Sequence, residues 1–179
     1  MHDHAYGRLK EPTIRAMALG RAFGLRNVSN LLWWNWTEFY DASRHEPGYS
    51  PSVFNFYRPE YRAPGLLTAN QKNGPVFQIT DSFSSIAFPN KLWELVTRGF
   101  WKWHTYGYPL DLSREIAMAG SPEKLVDHLN LLCCAGQMSV PSRTLILNAI
   151  NQVPASDTEA RARVAIYLAI VTPDGAVMK

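Results

Sequence analysis

Apolar residues recur at helical spacing through most of this chain and lose that spacing over one long stretch, from about residue 42 to 80. Pro12 suits the first turn of a helix. Ile14, Met17, Ala18, Ala22 and Leu25 follow close to helical spacing, with Gly24 as the stop. Ser29 or Asn30 stands in position to cap "LLWWNWTEFYD". Rings surround that segment on most sides, which predicts a buried helix or one lying against another surface. Helical character resumes after Asp81, a candidate cap, and again from 90 to about 105, with Pro89 dividing the two pieces.

Three clearer helices close the chain. Ser121, Pro122 and Glu123 read as N-cap, proline at the first helical position, then acid; Leu125, Leu129 and Leu132 share a face and Gly136 stops the run. A second begins near Pro141 and carries Leu145, Ile146 and Ile150. The third opens on Ser156-x-x-Glu159, a capping box, with Ala160, Val164, Tyr167, Leu168 and Val171 at helical spacing. No convincing strand ladder and no internal repeat stands out. The predicted fold is all-α: one irregular domain over 1–179, of about six helices, with a long aromatic and proline-rich loop.

That loop raises its own question. Pro47, Pro51, Pro59, Pro64 and Pro75 punctuate it, with Gly48, Gly65 and Gly74, so no helix runs far. A loop so long is unusual unless its own side chains pack it or it is functional. Tyr49, Phe54, Phe56, Tyr57, Tyr61 and Phe77 supply rings to anchor it, which predicts an ordered loop. Arg58 and Arg62 flank Pro59-Glu60-Tyr61. Each could grip an acidic or sugar ligand or latch the loop to the body; prolines that restrict the unfolded loop favour the latch.

Composition narrows the classes. A length of 179 residues suffices for one domain without staples. A net charge of +3, with no run of four basic residues, argues against a nucleic-acid partner. No apolar stretch approaches the roughly 20 residues of a membrane span. "MHDHAYGRLKEP" lacks the apolar core of a signal peptide, so the chain as written reads as cytoplasmic. Cys133 and Cys134 are adjacent and lack zinc-ligand spacing; they read as small apolar residues on a buried helix.

Several blocks together carry a resemblance: "GRLKEPTIRAMALGRAFG", "SPSVFNFYRPEYRAPG", "VFQIT", "KLVDHLNLLCCAGQMS" and "ARVAIYLAIVTPDGAV". In that order they resemble the carboxyl-terminal part of the bacterial domain-of-unknown-function 1800 family, over nearly the whole chain. "PSVFNFYRPEY" is the most specific piece. The resemblance implies a mostly helical fold and longer, often exported relatives, of which this chain matches the last third. "LLWWNWTEFY" is richer in tryptophan than the family pattern, and "CC" stands where leucines are common. The family has no agreed reaction, so no catalytic residue carries over. A third of a larger fold would expose an apolar face, which predicts a homo-oligomer.

The sharpest candidate chemistry is "WNWTEFYDASRHEPGY". Glu38, Asp41 and Glu46 are the candidate catalytic carboxylates, amid Trp33, Trp34, Trp36, Tyr40 and Tyr49. A glycosidase needs one carboxyl group as acid and another as nucleophile or base. On a helix Glu38 and Asp41 share a face. The candidate substrate contacts are Trp33, Trp36, Tyr40, His45, Arg58 and Tyr61, with a carbohydrate as candidate ligand. The alternative makes these acids solvated helix-end residues paired with Arg44. His2, Asp3 and His4 lack the H-E-x-x-H pattern, so no metal site is expected. His104 and His128 read as structural. Without G-x-S-x-G, G-x-G-x-x-G or a P-loop, serine hydrolysis and nucleotide cofactors are not expected, and no cofactor is predicted. Two functions remain: a helical module for assembly or surface binding, and a glycosidase working through the three acids.

Overall fold

The computed structural model describes residues 7–25, 36–46, 48–102 and 106–178, and it is mostly helical. Strand β1 (Arg8–Leu9) leads into helix α1 (Pro12–Ala22), where Pro12 takes the first helical position. Ala16, Leu19 and Phe23 enter the core from this helix, and Gly24 at φ +55° turns the chain away. Helix α2 (Trp36–Ser43) buries Phe39, which meets Phe88 edge to face with ring centroids 5.8 Å apart. The proposed caps Ser29 and Asn30 lie outside the described residues.

The long loop contains two short pieces of its own, helix α3 (Leu66–Ala69) and a 3₁₀ turn over Pro75–Ile79. Its rings divide. Tyr57 is buried and Phe56 and Tyr61 half-buried, whereas Tyr49, Phe54 and Phe77 are exposed. Fewer rings anchor the loop than its composition predicts, and polar bonds carry the rest of its attachment.

Helix α4 (Ser84–Arg98) corrects two expectations. It runs unbroken through Pro89, although a proline inside a helix costs a backbone bond. Phe88, Leu92, Leu95 and Val96, at helical spacing, bury enough surface to offset it. Before the helix, Ser84 N donates to Asp81 Oδ1 at 2.6 Å and Asp81 N donates to Ser84 Oγ at 2.8 Å. The bonds that the Ser84 amide and side chain make to the carboxyl, with a smaller contribution from Arg44, hold Asp81 below its usual range. The helix then stops at Gly99, φ +82°, rather than continuing to about 105.

Beyond it lies a hairpin, β2 (Phe100–Lys102) against β3 (Tyr106–Tyr108), where the sequence pattern shows no strand. Helix α5 (Ser113–Met118) follows and was also not anticipated. Helix α6 (Pro122–Cys134) keeps its proline start, but the Ser121 side chain makes no capping bond. Leu125 and Leu129 are buried while Leu132 is partly exposed. Helix α7 (Val140–Gln152) is capped by Ser139, whose Oγ accepts from Ser142 N.

Helix α8 (Thr158–Val171) is the axis of the body; it packs against α4, α5, α6, α7 and helix α9 (Pro173–Ala176). Its cap is Asp157, which accepts from Ala160 N at 2.9 Å, one residue later than the Ser156 box. Glu159 instead pairs with Arg163 at 2.6 Å. The deepest face carries Ala162, Ala165, Ile166 and Ala169, not the larger Tyr167 and Leu168. Small residues let several helices approach one axis, so the greatest burial falls where periodicity in bulk is weakest. Strand β4 (Val177–Met178) closes the chain against β1, antiparallel.

Candidate functional site

Helix α1, the end of α2 and the aromatic loop meet at one buried polar cluster. Arg44 at φ +57° reverses the chain after α2 and sends His45 inward, where it is only 4% exposed. The His45 amide donates to Ser43 Oγ at 3.2 Å. Asn55 sits at φ +69° in the turn that bridges Ser52, a conformation asparagine tolerates better than most residues. That turn aims Asn55 at the imidazole.

The ring contacts select one neutral tautomer. Nδ1 lies 3.5 Å from the Thr13 backbone N–H and 3.0 Å from Thr13 Oγ1, so it accepts. Nε2–H then donates to Asn55 Oδ1 at 3.3 Å. Asn55 Nδ2 donates to Glu11 Oε2 at 3.3 Å and to Tyr57 OH at 3.2 Å. The Glu11 carboxylate also acts on the Tyr57 phenol. Phe56 covers the imidazole edge to face at 5.0 Å. Burial lowers the His45 pKa, against the opposing pull of Glu11 and the Asn55 bond. Burial first, then the bond and charge of Glu11, pushes the Tyr57 phenol up to about 12. At neutral pH the cluster holds a neutral imidazole and a neutral phenol around Glu11. Both ring nitrogens are occupied, which suits a fixed joint better than a proton shuttle.

Tyr57 also forms part of the wall of a cleft of about 420 Å³ between β1 and the loop. Phe54, Phe77, Pro59 and Pro75 give it flat apolar surfaces, and Arg8 and Asn73 give it polar ones. Among the described residues no Asp or Glu lines it. Arg8 is itself held 3.3 Å from Glu11, which ties the cleft to the cluster.

The sequence-derived candidates are scattered around this site. His45 is inside the cluster. Asp41 is exposed on α2, and Glu46 and Tyr40 are half-buried. Arg44 pairs with Asp81 at 3.7 Å and lies over the Phe83 ring. The side chains of Trp36 and Glu38, and the whole of Trp33, Trp34 and His104, lie outside the described residues, as do His2, Asp3 and His4. Arg58 is exposed and its amide donates to Gln78; Arg62 Nε donates to Asn73 Oδ1 at 2.8 Å. Tyr61 accepts through its carbonyl from Gly74 N. His128 Nε2 lies 2.7 Å from buried Glu115. Among the described residues no group of three or more His, Cys, Asp or Glu side chains could hold a metal. None of their helices is long and apolar enough to cross a membrane.

Glu11, Thr13 and Asn55 were missed by sequence reasoning, and Tyr57 was read only as a ring that anchors the loop. Their signals were "KEPT" and "NFY", polar residues beside a helix start and inside an aromatic run. Comparison of the chain with protein-family models, curated proteins and solved structures finds no match.

Proposed function

We propose that the protein is a non-catalytic helical binding module, acting in assembly or surface binding, as suits the terminal part of the larger exported family it resembles. The observation that carries this reading is the cleft: three rings and two prolines line it, and among the described residues no carboxylate does. Its volume falls within the range of about 300–1,000 Å³ common to ligand sites. The ligand class that suits it is a carbohydrate, whose C–H faces lie on Phe54, Tyr57 and Phe77 while Arg8 and Asn73 meet its hydroxyls. Glycoside hydrolysis needs two carboxyl groups flanking the bond, and the described residues of this cleft supply neither. The competing hydrolase reading rests on Glu38, Asp41 and Glu46, of which Asp41 faces water. Self-association belongs to the same proposal, with exposed Leu131, Val140 and Leu145 as apolar surface for a second copy.

Calorimetric titration with cello-, xylo- and chito-oligosaccharides, with chromatography of the mixtures, tests it. Saturable binding without products is expected, weakened at least tenfold in Phe54→Ala or Phe77→Ala. Absence of binding across the panel overturns the ligand class. Products that vanish in Glu38→Gln, Asp41→Asn or Glu46→Gln transfer the site to the hydrolase reading.

A further inference from the structure

A second cavity, of about 210 Å³, opens between α1, the end of α6 and the turn after α8. Its surface is apolar at Leu19, Phe23, Leu132 and Ile170. Two cations, Lys10 and Arg15, also line it. Lys10 Nζ donates to the Gly175 carbonyl at 2.9 Å, and Arg15 Nη2 to the Ile170 carbonyl at 2.8 Å. The Arg15 guanidinium lies 5.0 Å from the Phe88 ring centroid, and its buried Nε has no hydrogen-bond partner.

Two full positive charges therefore face the ends of two helices, Arg15 that of α8 and Lys10 that of α9, and each end offers at most about half a negative charge. The acids that flank these elements have other partners among the described residues: Glu11 with Arg8, Glu115 with His128, and Asp174, next to Gly175, with the amide and hydroxyl of Ser139. Burial lowers the Arg15 pKa to about 10, the expected mark of a poorly solvated cation. Burial likewise pushes the Cys133 thiol, on the cavity wall, up to about 12, so that wall is neutral and unreactive at physiological pH.

We propose that this cavity binds a medium-chain aliphatic monocarboxylate, its head between Lys10 and the free Nε of Arg15 and its chain along Leu19, Phe23, Leu132 and Ile170. A carboxylate completes the guanidinium's hydrogen bonding and neutralises charge in a poorly solvated site. The aliphatic chain covers apolar surface that water now meets. This site is separate from the aromatic cleft and does not depend on it.

Calorimetry of the whole protein with sodium octanoate, 1-octanol and octylamine tests the proposal. One octanoate per chain is expected, with octanol at least tenfold weaker and octylamine not bound. Lys10→Met and Arg15→Gln should each weaken octanoate about tenfold or more. Because Arg15 also supports the end of α8, Ala18→Trp provides a second probe: Ala18 is an exposed wall residue, and the indole should abolish binding without lowering the melting temperature. Equal affinity for octanol and octanoate, unchanged binding in a folded Ala18→Trp protein, or no binding at millimolar octanoate would each overturn the proposal.

Discussion

His45 and Asn55 meet through Nε2 and Oδ1 at 3.3 Å, and that bond fastens the aromatic loop to the helical body. From Asn55 the network continues to Glu11 and Tyr57, so one short turn joins the start of α1 to the end of α2. The loop side of the cleft is therefore positioned by buried polar bonds as much as by packed rings.

Removing the amide at position 55 should loosen this joint. Asn55→Gly permits the same φ and deletes only the side chain, leaving the imidazole N–H and Glu11 without that partner. A loss of about 1–3 kcal/mol is expected from buried groups left unsatisfied, measured by urea unfolding. Asn55→Ala should lose more, because alanine tolerates φ +69° poorly.

The lowered His45 pKa makes stability depend on pH in a defined direction. The unfolded imidazole takes a proton near pH 6.5, whereas the folded one takes it only at lower pH. Between those two values the unfolded chain binds more protons, so this contribution is fully present above about pH 6.5 and falls as pH drops. The slope from one such group cannot exceed about 1.4 kcal/mol per pH unit. His45→Gln should flatten the unfolding curve in that window. A histidine resonance titrating at or above 6.5 and assigned to His45 would contradict the buried neutral ring.

Tyr57 should ionise later than a free tyrosine. Its phenol is held up to about 12, against about 10 for a free one. An absorbance titration at alkaline pH should lose one late step in Tyr57→Phe. Stability from this group should decline as pH rises past about 10, where the unfolded phenol ionises first.

Gly175 has no room for a side chain, since a Cβ there would run into the Ala169 carbonyl. Gly175→Ala should force α9 away from α8 and cost about 1–3 kcal/mol. Thermal unfolding of the variant measures it; an unchanged midpoint would show that the turn after α8 adjusts freely.

Where a helix could be located from sequence, its ends and its buried face were often less visible. Pro12, Pro122 and Ile146 stood out because proline placement and apolar spacing are local signals. Pro89 misled because the burial of Phe88 and Leu92 outweighs a lost backbone bond, and that burial is tertiary. The hairpin at Phe100 and Tyr108 was hidden by aromatic residues that suit either a helix or a strand. In the site, His45 was singled out but its partners were not. Thr13 lies 32 positions away and Glu11 farther, and nothing in their local pattern announces that the chain brings them together.

The central claim is that the Glu11–His45–Asn55–Tyr57 network holds the aromatic loop in place, and native-state proteolysis tests it most directly. Wild-type protein should resist cutting between residues 49 and 68, while Asn55→Gly is cut there many times faster under conditions where both proteins remain folded. Rapid cutting of the wild-type loop, or equal resistance in the two proteins, would contradict the claim.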